Sequence, residues 1–98
     1  MLSENSASKT VKLGITQIVE YSALDEAREG FLSALADQGY KEGENLEVDY
    51  QNAQGDIATA QTIAQNFASK NKDMVFAIAT PTAQASYNAM KDTPIMIS

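Results

Sequence analysis

Two stretches of this chain, "VKLGITQIV" (Val11 to Val19) and "DMVFAIA" (Asp73 to Ala79), are apolar at nearly every position rather than at every second one. A strand with one wet face alternates polar and apolar side chains. A strand that does not alternate must be covered on both faces, which is the condition of a parallel sheet with helices above and below it. The intervening segments agree. In "SALDEAREGFLSALADQGY" the period changes, with Leu24, Ala27, Phe31, Ala34 and Leu35 recurring at helical spacing. Ser22 followed by Asp25 resembles a capping box with Asp in the Glu/Gln place, and Gly39 supplies the left-handed residue that ends such a helix.

After a turn at Gly43, "LEVDYQ" alternates, with Leu46, Val48 and Tyr50 on one face and Glu47, Asp49 and Gln51 on the other, as at a sheet edge. Asp56 is an N-cap, and Ile57, Ala60, Ile63, Ala64, Phe67 and Ala68 form the stripe of a second helix. A third helix runs from Thr80 to about Lys91, and "TPIMIS" begins a fourth strand. This alternation predicts an α/β fold: a three-layer parallel sheet with helices on both faces, right-handed crossovers and strand order 2-1-3-4. In that order the winding reverses between strands 1 and 3, and a ligand crevice opens at their carboxyl ends. The first ten residues, "MLSENSASKT", are small, polar and aperiodic and read as a flexible leader; residues 11–98 form the domain.

The 98 residues, 44% of them apolar, suffice for one core and not for two. A net charge of −6 leaves no basic surface to follow a phosphate backbone or an anionic lipid layer, so no nucleic-acid partner is expected. Neither cysteine nor histidine occurs, which removes disulfides, thiolate nucleophiles, the usual zinc sites and any Ser-His-Asp triad within the chain. The thirteen acids are scattered over turns and helix faces, with Asp25, Glu26 and Glu29 early in the first helix, where its dipole accounts for them. No acid/base pair emerges, and neither an enzyme nor a metal is expected. The glycines match no dinucleotide or P-loop pattern, so no cofactor is expected either.

The polar residues instead gather where strands end. In "ATPTA", Thr80 is placed as an N-cap, Pro81 as the first helical residue, and Thr82 and Ala83 as the next donors. One reading is a well-capped helix. The other is a site where free N–H groups, the helix dipole and two hydroxyls hold a carboxylate. Gln17, Glu20, Tyr21 and Ser22 follow the first strand, and Asn52 and Gln54 follow the second, a density of polar groups that suits either ligand recognition or plain turns.

The blocks "GITQIVEYSALDEAREGFLSALADQGYKEGENLEVDYQNAQGD" and "AIATPTAQASYNAMKDTPI" resemble the amino-terminal lobe of the solute-binding proteins of ABC importers, in the tryptophan/tyrosine-type family. The resemblance covers nearly the whole chain from Val11, and "EGFLSALADQGYKEGENLEVDYQNAQGD" is its most specific block. It implies half of a type I periplasmic-binding fold, an exported and often lipid-anchored receptor that closes like a hinge on an aromatic amino acid and delivers it to a permease. It also implies a truncated lobe, since a family member would continue beyond Ser98, and neither an export signal nor a lipobox cysteine lies in this stretch. The family's ligand-facing loops fall on Gln17 to Ser22, Asn52 to Gly55 and Thr80 to Gln84. On that basis Thr80, Thr82 and the helix N–H groups hold an α-carboxylate, Glu20 meets the α-ammonium and Tyr21 stacks on the aromatic side chain. A flavodoxin-like or receiver-like domain shares the strand order and is the alternative, although strand 1 runs into Gln17 and strand 3 into Thr80 where a receiver needs acids. A fourth strand at the sheet edge, with apolar Ile95, Met96 and Ile97, implies a possible homodimer through that edge.

Overall fold

The computed structural model describes residues 10–97. The leader expected on residues 1–10 therefore lies almost wholly outside the described residues, as does Ser98 of the last strand. The elements are β1 (Val11–Gln17), α1 (Ser22–Asp37), β2 (Leu46–Asn52), α2 (Ile57–Ser69), β3 (Met74–Ile78), α3 (Thr80–Ala89) and β4 (Ile95–Ile97). They form one parallel sheet of order β2-β1-β3-β4, as the sequence predicts.

β1 sits between β2 and β3, and its side chains divide the core. Leu13 and Ile15 join Leu46, Phe76 and Ile78 on the face covered by α1, where Leu24, Phe31, Leu32 and Leu35 pack. Phe31 stacks on Phe76 with ring centroids 4.0 Å apart. The opposite face is covered by α2 and α3, whose Ala60, Ile63, Ala64, Phe67 and Ala85 pack with Val75. Gly14 marks the closest approach on this side: a Cβ there would lie 2.8 Å from the Phe67 ring, so a side chain would push α2 off the sheet.

Several local expectations are corrected. Ala34 is exposed and Leu32 packs in its stead. Ile57, at the start of α2, is 57% exposed rather than part of the buried stripe. Ser22 does not cap α1: the N-cap is Tyr21, with no side-chain capping bond, because the Asp25 carboxylate is drawn toward Gln17 and Arg28. α3 stops at Ala89, where Met90 turns extended and is buried. Asp56 does cap α2, accepting from the Ala58 N–H, and Gly39 (φ +97°) ends α1.

On the edge strand, Asp49 accepts a hydrogen bond from Gln51 and lies 3.2 Å from the buried Lys72 ammonium and 3.9 Å from that of Lys70. Partial burial raises its pKa, but the hydrogen bonds from Gln51 and Lys72 and the charges of Lys72 and Lys70 outweigh it, so the carboxyl titrates below its ordinary value of 3.8. A carboxyl held low in the folded state lends stability that is present above its unfolded pKa and disappears as pH falls through the folded one.

Two outcomes follow. Phe67→Ala destabilises the fold by ~3–5 kcal/mol in urea titration, and the half-buried Phe31→Ala by roughly half as much; equal losses would misplace the two helix faces. Asp49→Asn flattens the loss of stability in acid below the ordinary carboxyl range, as read by melts at stepped pH; an unchanged acid limb would deny the Asp49–Lys72 pair that role.

Candidate functional site

Because all four strands run in one direction, the carboxyl ends of β1, β2 and β3 share one edge of the sheet. The register sets Gln17 beside both Asn52 and Ile78, so the loops leaving these three residues emerge side by side. β1 leads into α1 on one face, whereas β2 and β3 lead into α2 and α3 on the other. The winding thus reverses between β1 and β3, and at such an edge parallel sheets of this kind are expected to form a ligand crevice. Backbone bonds tie the first two loops together: Ala53 N–H donates to Gln17 O at 2.8 Å and Gly55 N–H to Ile18 O at 2.6 Å.

The ten residues singled out from sequence divide by exposure. Glu20, Tyr21, Ser22, Gln54 and Thr80 are exposed at this edge of the sheet, Tyr21 by 64%. Asn52 and Pro81 are half-buried. Gln17, Thr82 and Ala83 are buried. Gln17 is fully enclosed, and its amide is engaged by the chain itself: Nε2 donates to Val19 O at 2.9 Å and to Asp25 Oδ1 at 2.7 Å, while Oε1 accepts from Arg28 at 2.8 Å. Its place is behind the crevice wall. Asn52 spans its own loop, donating to the Tyr50 hydroxyl at 3.0 Å and accepting from the Gln54 N–H at 2.8 Å.

The "ATPT" turn differs from its sequence reading. Ala79, not Thr80, is the N-cap, with φ 85° and ψ 153°, a region that is nearly glycine-only and costs about 1–3 kcal/mol. Thr80 is then the first helical residue. The Thr82 hydroxyl, fully buried, points back to Ile78 O at 2.7 Å and Ala79 O at 2.8 Å, pinning the strained turn. Two outward hydroxyls are thus reduced to one, that of Thr80. Helix geometry leaves the first N–H groups without intrahelical partners, and here Pro81 has none to offer while Ala83 donates to Ala79 O. The N–H groups of Thr80 and Thr82 remain as the first-turn donors, at the positive end of the α3 dipole.

Sequence reasoning missed Arg28, Tyr50 and the strain at Ala79. Arg28 had a signal, since a cation at that position interrupts the apolar stripe Leu24, Phe31, Leu32 and Leu35 on the sheet-facing side of α1. Ala79 had none, because alanine gives no hint of positive φ.

A family model described as ABC transporter substrate binding protein matches residues 12–98. The chain is 50% identical over 95 residues to a tyrosine-binding protein of Clostridioides difficile, covering 97% of this chain and 28% of that protein. Among solved structures, the ligand-free, open form of a substrate binding protein with adhesive properties from Clostridium difficile is 57% identical, with a TM-score of 0.88 over 90% of this chain and 30% of that one. A conserved domain protein from Vibrio cholerae is 50% identical, with a TM-score of 0.90 over 92% and 30%. An ABC domain from Streptococcus pneumonia in complex with L-Trp is 32% identical, with a TM-score of 0.85 over 91% and 30%. The chain therefore spans less than a third of the length of the relatives it matches.

Ala79→Gly removes the strain before α3 and, after the entropy a glycine adds to the unfolded chain, raises stability by about 1 kcal/mol. Urea titration checks this, and a destabilised Ala79→Gly would mean that the turn is held by contacts of the alanine methyl group.

Proposed function

The chain belongs to the family of ABC transporter substrate binding proteins, and from that premise we propose that it forms one wall of an importer's solute site and receives an aromatic amino acid. Proteins of this family bind solutes and are not enzymes. The observation that carries the reading is the agreement of two relatives on ligand class, one named for tyrosine and the other in complex with L-Trp. It displaces the flavodoxin-like and receiver-like alternative.

The roles follow from the chemistry at the crevice. A carboxylate at the start of α3 would accept from the Thr80 hydroxyl and from the N–H groups of Thr80 and Thr82, donors aligned with the dipole. The exposed carboxylate of Glu20 suits an α-ammonium, and the exposed ring of Tyr21 offers a face for stacking on the aromatic side chain. Ser22 and Gln54 line the rim. Cleft closure against further lobe structure, delivery to an ABC permease, and an extracytoplasmic, lipid-anchored setting complete the proposal. One wall by itself binds weakly, because closure is what buries the solute.

At the edge of the sheet, β4 presents Met96 and Ile97, each about half exposed, with no charge among Ile95, Met96 and Ile97 to deter pairing. We place a homodimer of this chain there. Ile97→Lys shifts it to monomer in sedimentation equilibrium, and a clean monomer of the unsubstituted chain at high concentration rules it out.

Titration with each of the twenty amino acids, followed by the amide resonances of residues 79–83, tests the solute reading. L-tyrosine and L-tryptophan give the largest saturable shifts, with affinity weaker than micromolar, and Thr80→Val lowers that affinity about tenfold or more through a lost hydrogen bond to a charged group. Equal response to all amino acids, or a change under about threefold in Thr80→Val, defeats it.

A further inference from the structure

Arg28 is a cation on the buried side of an otherwise apolar helix stripe. It sits in the second turn of α1, its side chain only 20% exposed, and is engaged on two sides. Its Nη1 donates to Gln17 Oε1 at 2.8 Å and to Asp25 Oδ1 at 3.3 Å. Its guanidinium carbon lies 4.3 Å from the centroid of the Tyr50 ring, a cation–π stack. Nothing in the packing of α1 against the sheet calls for a charge here, and a partly desolvated guanidinium persists only where its partners are fixed.

Those partners lead into both loops flanking the crevice. Gln17, held by Arg28, donates to Val19 O at the start of the loop after β1. Tyr50, under the guanidinium, accepts through its hydroxyl from Asn52, which in turn accepts from the Gln54 N–H in the loop after β2. Asp25 balances the charge and grips the same Gln17 amide. The chain of contacts Val19, Gln17, Arg28, Tyr50, Asn52, Gln54 thus crosses from one loop to the other behind the wall.

We propose that Arg28 is the positioning residue of the solute site, locking the loops after β1 and β2 into one preformed wall through Gln17 on one side and Tyr50 on the other. It touches no solute. The inference rests on the reading that these loops face one, and the geometry of the lock is independent of which solute that is. The fork of the guanidinium is what the role needs, since it hydrogen-bonds in its plane and stacks through its face; a lysine ammonium supplies charge without either constraint.

Amide hydrogen exchange of the full chain tests the lock. In Arg28→Met, which keeps an apolar stem, exchange at Ala53 and Gly55, whose N–H groups join the two loops, accelerates about tenfold or more, while that at Ala64 and Val75 in the opposite core stays within about threefold. Arg28→Lys does not restore protection. Tyr50→Phe retains the stacked ring and loses only the bond to Asn52, so it loosens Gln54 and leaves Val19 unchanged; Arg28→Lys decides the matter should Arg28→Met fail to fold. Uniform acceleration across the sheet would make Arg28 a stabiliser of the fold alone, and no change at Ala53 and Gly55 would remove the lock; either overturns the proposal. Titration of the same variants with L-tyrosine separates the two readings. If the unsubstituted chain does not bind L-tyrosine while Arg28→Met shows the exchange pattern, the solute reading is refuted and the lock is sustained; where the unsubstituted chain does bind, equal binding by Arg28→Met refutes the positioning role.

Discussion

The placement of β1 between β2 and β3 governs the rest of the structure. One strand, pairing in parallel on both sides, brings Asn52 and Ile78 into register with Gln17 and so aligns three chain exits that are far apart in sequence. Such a strand has no solvent-facing side, which is why Leu13, Gly14, Ile15, Thr16 and Gln17 are all buried. The last of them is polar, and a buried amide must find partners. Gln17 finds them in Asp25, Arg28 and Val19, and in doing so draws the loop after β1 and the first turns of α1 into the crevice wall.

The two faces of the sheet are built differently, and the difference bears on the site. Beneath α2 and α3 the core is dense and alanine-rich, with Gly14 admitting the Phe67 ring at a distance no other residue would allow. That rigidity supports the strained Ala79 turn, which the Thr82 hydroxyl pins from within. α1, by contrast, has no fully buried residue and rests on half-buried Leu24, Phe31, Leu32 and Leu35. Its attachment near the crevice depends on the polar contacts of Arg28 and Asp25 as well as on apolar packing.

The match to ABC transporter substrate binding proteins spans residues 12–98 and so includes the loops at the carboxyl ends of the strands. Their polar groups are of two kinds. Glu20, Tyr21, Ser22, Gln54 and Thr80 are exposed, whereas Gln17 and Thr82 are turned inward and shape the surface that the others present. A binding protein needs both, because affinity depends on donors and acceptors held in place before the ligand arrives.

Strand and helix periods, the Asp56 cap, the Gly39 stop and the non-alternating central strands were legible in the sequence, because each is a local consequence of side-chain spacing, chirality or burial on both faces. The strand order followed from them, and with it the edge of the sheet where polar loops gather. What only the tertiary structure decided is which way each polar group turns. Arg28 and Gln17 are eleven residues apart and meet solely because α1 folds back over β1; Tyr50 joins them from the neighbouring strand. The choice of Ala79 rather than Thr80 as cap, and the inward turn of Thr82, were set by the join between a buried strand and its helix. Sequence spacing specifies which residues arrive at an edge, but hydrogen-bond partners lie across the chain, and only packing fixes which of them is near enough to be chosen.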